Sequence, residues 1–257
     1  MSAGIGWRLA SVVVGGLFVV AWQLIVNAHI VSAVYLPGPD RTWTALVRGF
    51  AGGTLLAQLV QTVQRMIVGW LLASLVGVVL GACIGLSRRA RAYLGPTLEF
   101  VRPLPASAVI PLGIAFFGLS EGMVLGVIAF GALWPTLLAT VHGFADVEPC
   151  LYEVSRVLGM SRLAVIWKIA LPSSLPDILG GMRISLTVSL ILAVVGEMLT
   201  SRTGLGSGIL IAARTFHAPD LYAGVVLLGL LGYVTAQGLF AVEARLLRWR
   251  RNGLTNV

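Results

Sequence analysis

Long apolar runs, punctuated by short charged stretches, set the pattern of this chain. A helix needs about 20 consecutive apolar residues to cross roughly 30 Å of hydrocarbon, and six stretches approach or meet that length. The first runs from Leu9 to about Val26, inside a stretch without charge between Arg8 and Asp40. The second covers Met66 to Leu86. The third and fourth, about Pro103 to Gly118 and Met123 to Phe144, are separated by a tight Leu119-Ser120-Glu121-Gly122 turn, which predicts a helical hairpin. The fifth, about Ile184 to Gly196, is bounded by Arg183 and Glu197, and the sixth runs from Leu221 to Val242 and ends at Glu243. The pattern predicts an all-α polytopic membrane protein with six transmembrane helices.

The segments between spans refine that outline. Leu36-Pro37-Gly38-Pro39 breaks the first helix, and an amphipathic patch from Trp43 to Phe50 follows, with Trp43 and Phe50 suited to the outer membrane interface. Thr54 is a candidate N-cap for a helix in which Leu55, Leu59, Val63 and Met66 recur at helical spacing while Gln58, Gln61 and Gln64 take another face. Continued to Leu86, that helix would reach roughly 50 Å at 1.5 Å per residue, so its first turns must project from the bilayer or pack on protein. Gly77, Gly81 and Gly85 at four-residue intervals allow close approach of another helix. Pro111 and Pro135 each remove a backbone donor inside a span, serving either as sites of rearrangement or as static kinks.

Composition excludes a soluble domain: 58% of residues are hydrophobic and 11% charged, with mean hydropathy +0.94, against about 25% charged residues in soluble domains. Cytoplasmic loops collect Lys and Arg near span ends. With both termini cytoplasmic, Arg8, Arg88, Arg89, Arg91, Arg102, Arg156, Arg162, Lys168, Arg183, Arg245, Arg248, Arg250 and Arg251 fall inside, leaving Arg41, Arg48, Arg65, Arg202 and Arg214 outside. Topology and membrane lipid headgroups therefore account for the net charge of +8, and no nucleic-acid partner is needed. A signal-peptide reading of the first run, with Val31-Ser32-Ala33 as cleavage site, is disfavoured because the run exceeds a typical signal core. Cys83 and Cys150 give neither a disulfide framework nor metal-ligand spacing and read as packing residues. No repeat or flexible linker divides the chain. It reads as one domain over residues 1–257, with a first span at 9–26 and a five-span core at 54–242.

The polar stretch at 146–183 is the most informative segment. It is too polar to span and too patterned to be a linker. Glu148-Pro149 opens a short helix in which Glu153 and Ser155 stand beside a stripe of Val154, Val157 and Leu158. Gly159 ends it by adopting a left-handed conformation. Ser161 caps a second helix carrying Leu163, Trp167 and Ile169, which Leu171-Pro172 is expected to terminate. Taken alone, the hairpin suits either the inner membrane surface or a partner's groove.

Glu153, Gly159 and Ile169-Ala170-Leu171-Pro172 stand at the spacing of the cytoplasmic loop that marks membrane subunits of binding-protein-dependent ABC importers, which the chain resembles. More narrowly it is similar to the sulfonate, taurine and nitrate permeases through Leu36-Pro37-Gly38-Pro39, Arg102-Pro103-Leu104-Pro105, Phe117-Gly118-Leu119-Ser120-Glu121 and Gly204-Leu205-Gly206. Val154-Ser155 replaces the two alanines usual after the loop glutamate, and the aromatic string before Phe117 is only partly kept. The resemblance implies a type I importer permease fold in a bacterial inner membrane. It also implies a second permease copy, most simply a homodimer, above a cytoplasmic ABC ATPase dimer, with a periplasmic or lipid-anchored solute-binding protein outside. Glu153, Ser155, Gly159, Ile169, Leu171 and Pro172 would form the coupling segment, with Glu153 capping or pairing at the junction. Gly204 and Gly206 would lie in the external loop that meets the binding protein.

The residues agree on one negative. A nucleotide-cradling P-loop requires G-x-x-x-x-G-K-[ST], and the sole lysine, Lys168, lies between Trp167 and Ile169. ATP and Mg would therefore belong to a partner subunit, the chain itself needing no cofactor, no metal and no catalytic residue. An ion-gradient carrier is the alternative, but buried ionisable candidates are few. Arg183 and Glu197 are fourteen helical steps apart, roughly 21 Å, and do not pair. Arg183 reads as a cytoplasmic anchor, and Glu197 either lines the outer end of the pathway or is a structural carboxylate. Ser207 and His217 would suit an intramembrane protease only on facing helices, whereas they share one external segment. His29 and His142 read as polar caps at membrane borders. Sulfonates, taurine, nitrate, bicarbonate, aromatic acids and pyrimidine precursors of thiamine all remain open as cargo.

Overall fold

A computed structural model describes residues 2–28, 32 and 34–248, with side chains from residue 13 onward. His29, Val31, Ala33, Arg250 and Arg251 lie outside the described residues, as does the side chain of Arg8. Every regular element among the described residues is helical: α1 (Ser2–Asn27), α2 (Pro39–Ala51), α3 (Thr54–Gly85), α4 (Arg88–Val101), α5 (Ala106–Phe117), α6 (Glu121–Ala145), α7 (Pro149–Val157), α8 (Arg162–Val165), a π-turn (Ile166–Ala170), α9 (Leu171–Thr200), α10 (Leu205–Arg214) and α11 (Ala218–Leu246).

Among the described residues, four continuous helices are long and apolar enough to cross a membrane: α3, α6, the run Arg162–Thr200 and α11. A fifth arises if α4 and α5, bent by 87° at the break between them, count as one span. The expected third span is thus corrected. Its straight part, α5, has only 12 residues, and the segment before it is the unforeseen amphipathic helix α4, started by Ser87 accepting from the Ala90 N–H at 3.2 Å. Arg102 is still in helical backbone, and the corner falls at Leu104-Pro105, where a residue before proline disfavours the helical region and Pro105 itself is extended (ψ 121°) ahead of α5. The hairpin expectation holds, with a shorter turn: Gly118 (φ 63°) leaves α5 and Ser120 caps α6 by accepting from the Met123 N–H.

The fifth span also differs. Leu171-Pro172 does not end the second loop helix; helical backbone continues to Thr200. Proline lacks the N–H that would bond the carbonyl four residues back and its ring crowds that carbonyl. Here the backbone widens into the π-turn just before Pro172, with the Leu171 N–H reaching back to Ile166 O, so the helix absorbs the proline. Thr54 is the first residue of α3, not its cap, and its hydroxyl donates to Gly49 O.

The chain divides into two compact units, with boundaries inside α3 and α11. One holds the residues up to Gln61 and Ser201–Leu230. In it the Trp22 and Tyr222 rings approach to 5.8 Å, Gly208 of α10 lies against Gln58 and Gly224 against Ile209. Trp43 and Phe50 of α2 are exposed.

The other unit holds Thr62–Thr200 and the chain from Leu231. Helix α6 is its axis, packed on α3 through a glycine seam. A Cβ at Gly81 would stand 2.8 Å from Leu137 O, and Gly77 and Gly85 press similarly on Leu137 and Phe144. On the α9 side Gly181 approaches Pro135 O, where a Cβ would come within 2.7 Å. The Ser185 hydroxyl donates to Ala132 O at 2.6 Å, beside the Gly131 carbonyl that Pro135 leaves without its usual donor. Met66, Ile110, Met123, Val124, Ile128, Leu186, Leu192 and Ala193 fill the space between these helices. Cys83 and Cys150 are exposed thiols, correcting the packing role expected of them; the surface they reach lies outside the glycine seam and the core clusters.

Candidate functional site

The loop between α6 and α9 builds a compact hairpin. Pro149 opens α7 with its fixed φ. At the other end Gly159 takes φ 64°, its N–H bonds Arg156 O at 3.0 Å and the Met160 N–H bonds Ser155 O at 3.0 Å. That pair of bonds is a Schellman termination, and a left-handed residue is its requirement. Ser161 then caps α8, accepting from the Ala164 N–H at 3.3 Å.

The hairpin has an anchored root and an apolar tip. At the root, Ala170 is fully buried with Phe144, Val147 and Ile178, and Ile169 and Leu171 pack around them. The Ser155 side chain is buried and its hydroxyl donates to Tyr152 O at 2.7 Å. Burial pushes the Tyr152 phenol above its usual 10.0, against a smaller lowering by the Arg91 charge. Pro172 is half-buried where the hairpin joins α9. At the tip, Val157 is 88% exposed, with Leu158, Leu163 and Trp167 each at 68% or more. Large apolar side chains gathered on a polar loop mark a surface that another body covers.

Glu153 lies on the exposed face of α7 and does not cap. It is the fifth residue of a helix beginning at Pro149, just past the orphan N–H groups that a cap serves.

The ionisable residues of the large unit pair in ways the sequence did not reveal. Glu197 is fully buried, accepting from Arg65 Nη1 at 2.9 Å and from the Thr62 hydroxyl at 2.9 Å. Arg65 is 5% exposed, and its Nε stands 3.4 Å from Glu121. Of the two roles open to Glu197, this structure displays the structural one. Arg65, counted from sequence among the outer-side charges, is buried within α3, and an arginine inside an otherwise uncharged helix is the signal for that burial. Arg183 does not meet Glu197; it pairs with Glu243 and sits 5.5 Å from the Phe240 ring centroid, because α11 brings both alongside.

In the smaller unit, Gly204 precedes α10 in extended backbone. The Ser207 hydroxyl donates to Gly204 O at 2.9 Å and accepts from the Gly204 N–H, while Gly206 is buried. His217 Nδ1 lies 3.1 Å from Thr215 Oγ1, so both members of the imagined Ser–His dyad are engaged locally. Among the described residues no cluster of metal-ligating side chains occurs.

Residues 73–248 match the family described as binding-protein-dependent transport system inner membrane component. The chain belongs to that family. It is 32% identical over 247 residues to the putative aliphatic sulfonates transport permease protein SsuC of Bacillus subtilis, covering 96% of this chain and 89% of that one. The taurine transport system permease protein TauC of Escherichia coli is 29% identical, over 89% of this chain and 85% of its own. The nitrate import permease protein NrtB of Leptolyngbya laminosa is 29% identical, over 82% and 77%. Among solved structures, a chain of the MetNI methionine ABC transporter in an inward-facing form aligns with a TM-score of 0.65 at 18% identity, over 76% of this chain and 97% of that one. A chain from an amino acid ABC transporter with histidines aligns at 0.61. The permease thus has the type I ABC importer membrane fold. It is a multi-pass inner-membrane transport subunit and not an enzyme, and its family implies an ATPase and a solute-binding protein as partners.

Proposed function

We propose that the permease passes a small anionic or zwitterionic solute, of the sulfonate, taurine or nitrate kind, from a binding protein to the cytoplasm. It does so as a homodimer of six-span subunits, each one permease domain with both termini inside. The α7–α8 hairpin is the handle. Its exposed tip, Val157, Leu158, Leu163 and Trp167, enters a cleft of the ATPase dimer, and this apolar tip on a polar loop is the observation that carries the reading. Glu153, exposed on α7 one helical turn before Val157, stands at the edge of that contact, where α7 also borders a polar cleft. Ser155, Gly159, Ile169, Leu171 and Pro172 make the handle stiff and join it to α9, so displacement of the tip is delivered along Arg162–Thr200, a continuous helix. ATP and Mg are held by the ATPase, and this chain supplies no cofactor site.

Outside, Gly204 and Gly206 shape the turn into α10 that meets the binding protein. A groove of about 670 Å³, lined by Trp134, Ile184, Val188 and Leu192 with Arg102 and His142 toward the C-terminal end of α6, supplies a wall for the pathway. Closure of the ATPase on nucleotide draws two such handles together and opens the permease outward. Reconstitution tests this: vesicles holding permease, ATPase and binding protein should accumulate solute only with ATP. Uptake by the permease alone, driven by an ion gradient, would overturn the reading.

A further inference from the structure

A second feature of the same region lies beside the apolar tip. Between the end of α3, the start of α4 and the Tyr152–Arg156 face of α7 lies a polar cleft of about 570 Å³, lined by Gly85, Arg88, Arg91, Tyr152, Glu153 and Arg156. Three guanidinium groups thus share one recess with a single carboxylate. Arg91 Nη1 donates to Gly85 O, which ties that cation to the end of α3. Converging like charges are unfavourable unless an anion joins them, and guanidinium groups bind phosphate oxygens in paired hydrogen bonds.

Two placements say where the anion comes from. Gly85 is the last residue of the 32-residue apolar helix α3, so the cleft sits where hydrocarbon gives way to headgroups. The adjoining α4 buries none of its residues and exposes Tyr93, Leu94 and Phe100, the pattern of a helix lying in a membrane interface.

We propose that this cleft binds the phosphate of an anionic membrane lipid, with α4 resting among the neighbouring acyl chains. Arg88 and Arg156 close on the phosphate from α4 and α7, and Arg91 supplies charge from beside the end of α3. The lipid thereby ties the root of the hairpin to the bilayer.

Native mass spectrometry of the full-length permease, titrated with phosphatidylglycerol or phosphatidylcholine, reads this without cargo or ATPase, so its failure leaves the import reading standing. Phosphatidylglycerol should be retained preferentially. Removing two basic contacts in Arg88→Gln/Arg156→Gln should weaken retention about thirtyfold, Arg88→Lys/Arg156→Lys should recover much of it, and Arg89→Gln, outside the cleft, should leave it unchanged. Equal retention of both lipids, an equal loss in Arg89→Gln, or displacement by millimolar inorganic phosphate would each overturn the proposal, the last by assigning the cleft to a soluble anion.

Discussion

Arg65 and Glu197, 132 residues apart in sequence, meet beneath the protein surface at 2.9 Å and join α3 to α9. Glu121, at the first turn of α6, stands on the other side of the same guanidinium. Three helices of the large unit are therefore clasped around one cation.

Removing one partner of such a pair strands the other in a low-dielectric site. Glu197→Ala should destabilise the permease by about 3–5 kcal/mol, read as a lowered unfolding midpoint in detergent. Arg65→Ala should be of similar size, and the double variant should cost less than the sum of the two. Additive losses would show that the two side chains do not depend on each other.

The glycine seam makes a steric prediction. Gly81→Ala places a methyl group 2.8 Å from Leu137 O and 2.6 Å from the Thr140 Cβ, so α3 and α6 must separate, at about 1–3 kcal/mol. Gly180→Ala in α9 meets nothing within 4 Å and should be neutral or mildly stabilising, since alanine favours helix over glycine. Thermal unfolding of the two variants side by side checks the contrast.

Gly159→Val forces a β-branched residue into φ 64°. The Schellman turn should be lost and the angle between α7 and α8 should change, abolishing cargo-stimulated ATPase activity while membrane insertion is retained. Glu153→Lys, on the exposed face of α7, should do the same through charge. Full transport by both variants would remove the docking role.

The tip residues separate docking from folding. Val157→Asp and Trp167→Ala alter side chains that are 88% and 68% exposed, so the unfolding midpoint of the isolated permease should hardly move. Co-purification with the ATPase should fall steeply. If the complex survives both substitutions, the partner grips the loop elsewhere.

Legibility from sequence followed the range of the interactions. Gly159, Ser161 and the Pro149 start act within a few residues, and each does in the structure what its local chemistry demands. The seam of Gly77, Gly81 and Gly85 was visible as a spacing, although its partner α6 was not. The end of the second loop helix is not legible from Leu171-Pro172, because a proline's effect depends on whether the preceding turn can widen, and the π-turn at Ile166–Ala170 does so.

Membrane residence, helical class and the polar hairpin were determined by the sequence alone, since a bilayer demands apolar length and internally bonded backbone wherever the chain crosses it. Which charges share a cation, which glycines meet which helix and which cleft gathers three arginines were decided only by the tertiary structure. Those pairings join residues far apart in the chain, and only the packing of α3, α4, α6, α7 and α9 brings them within reach.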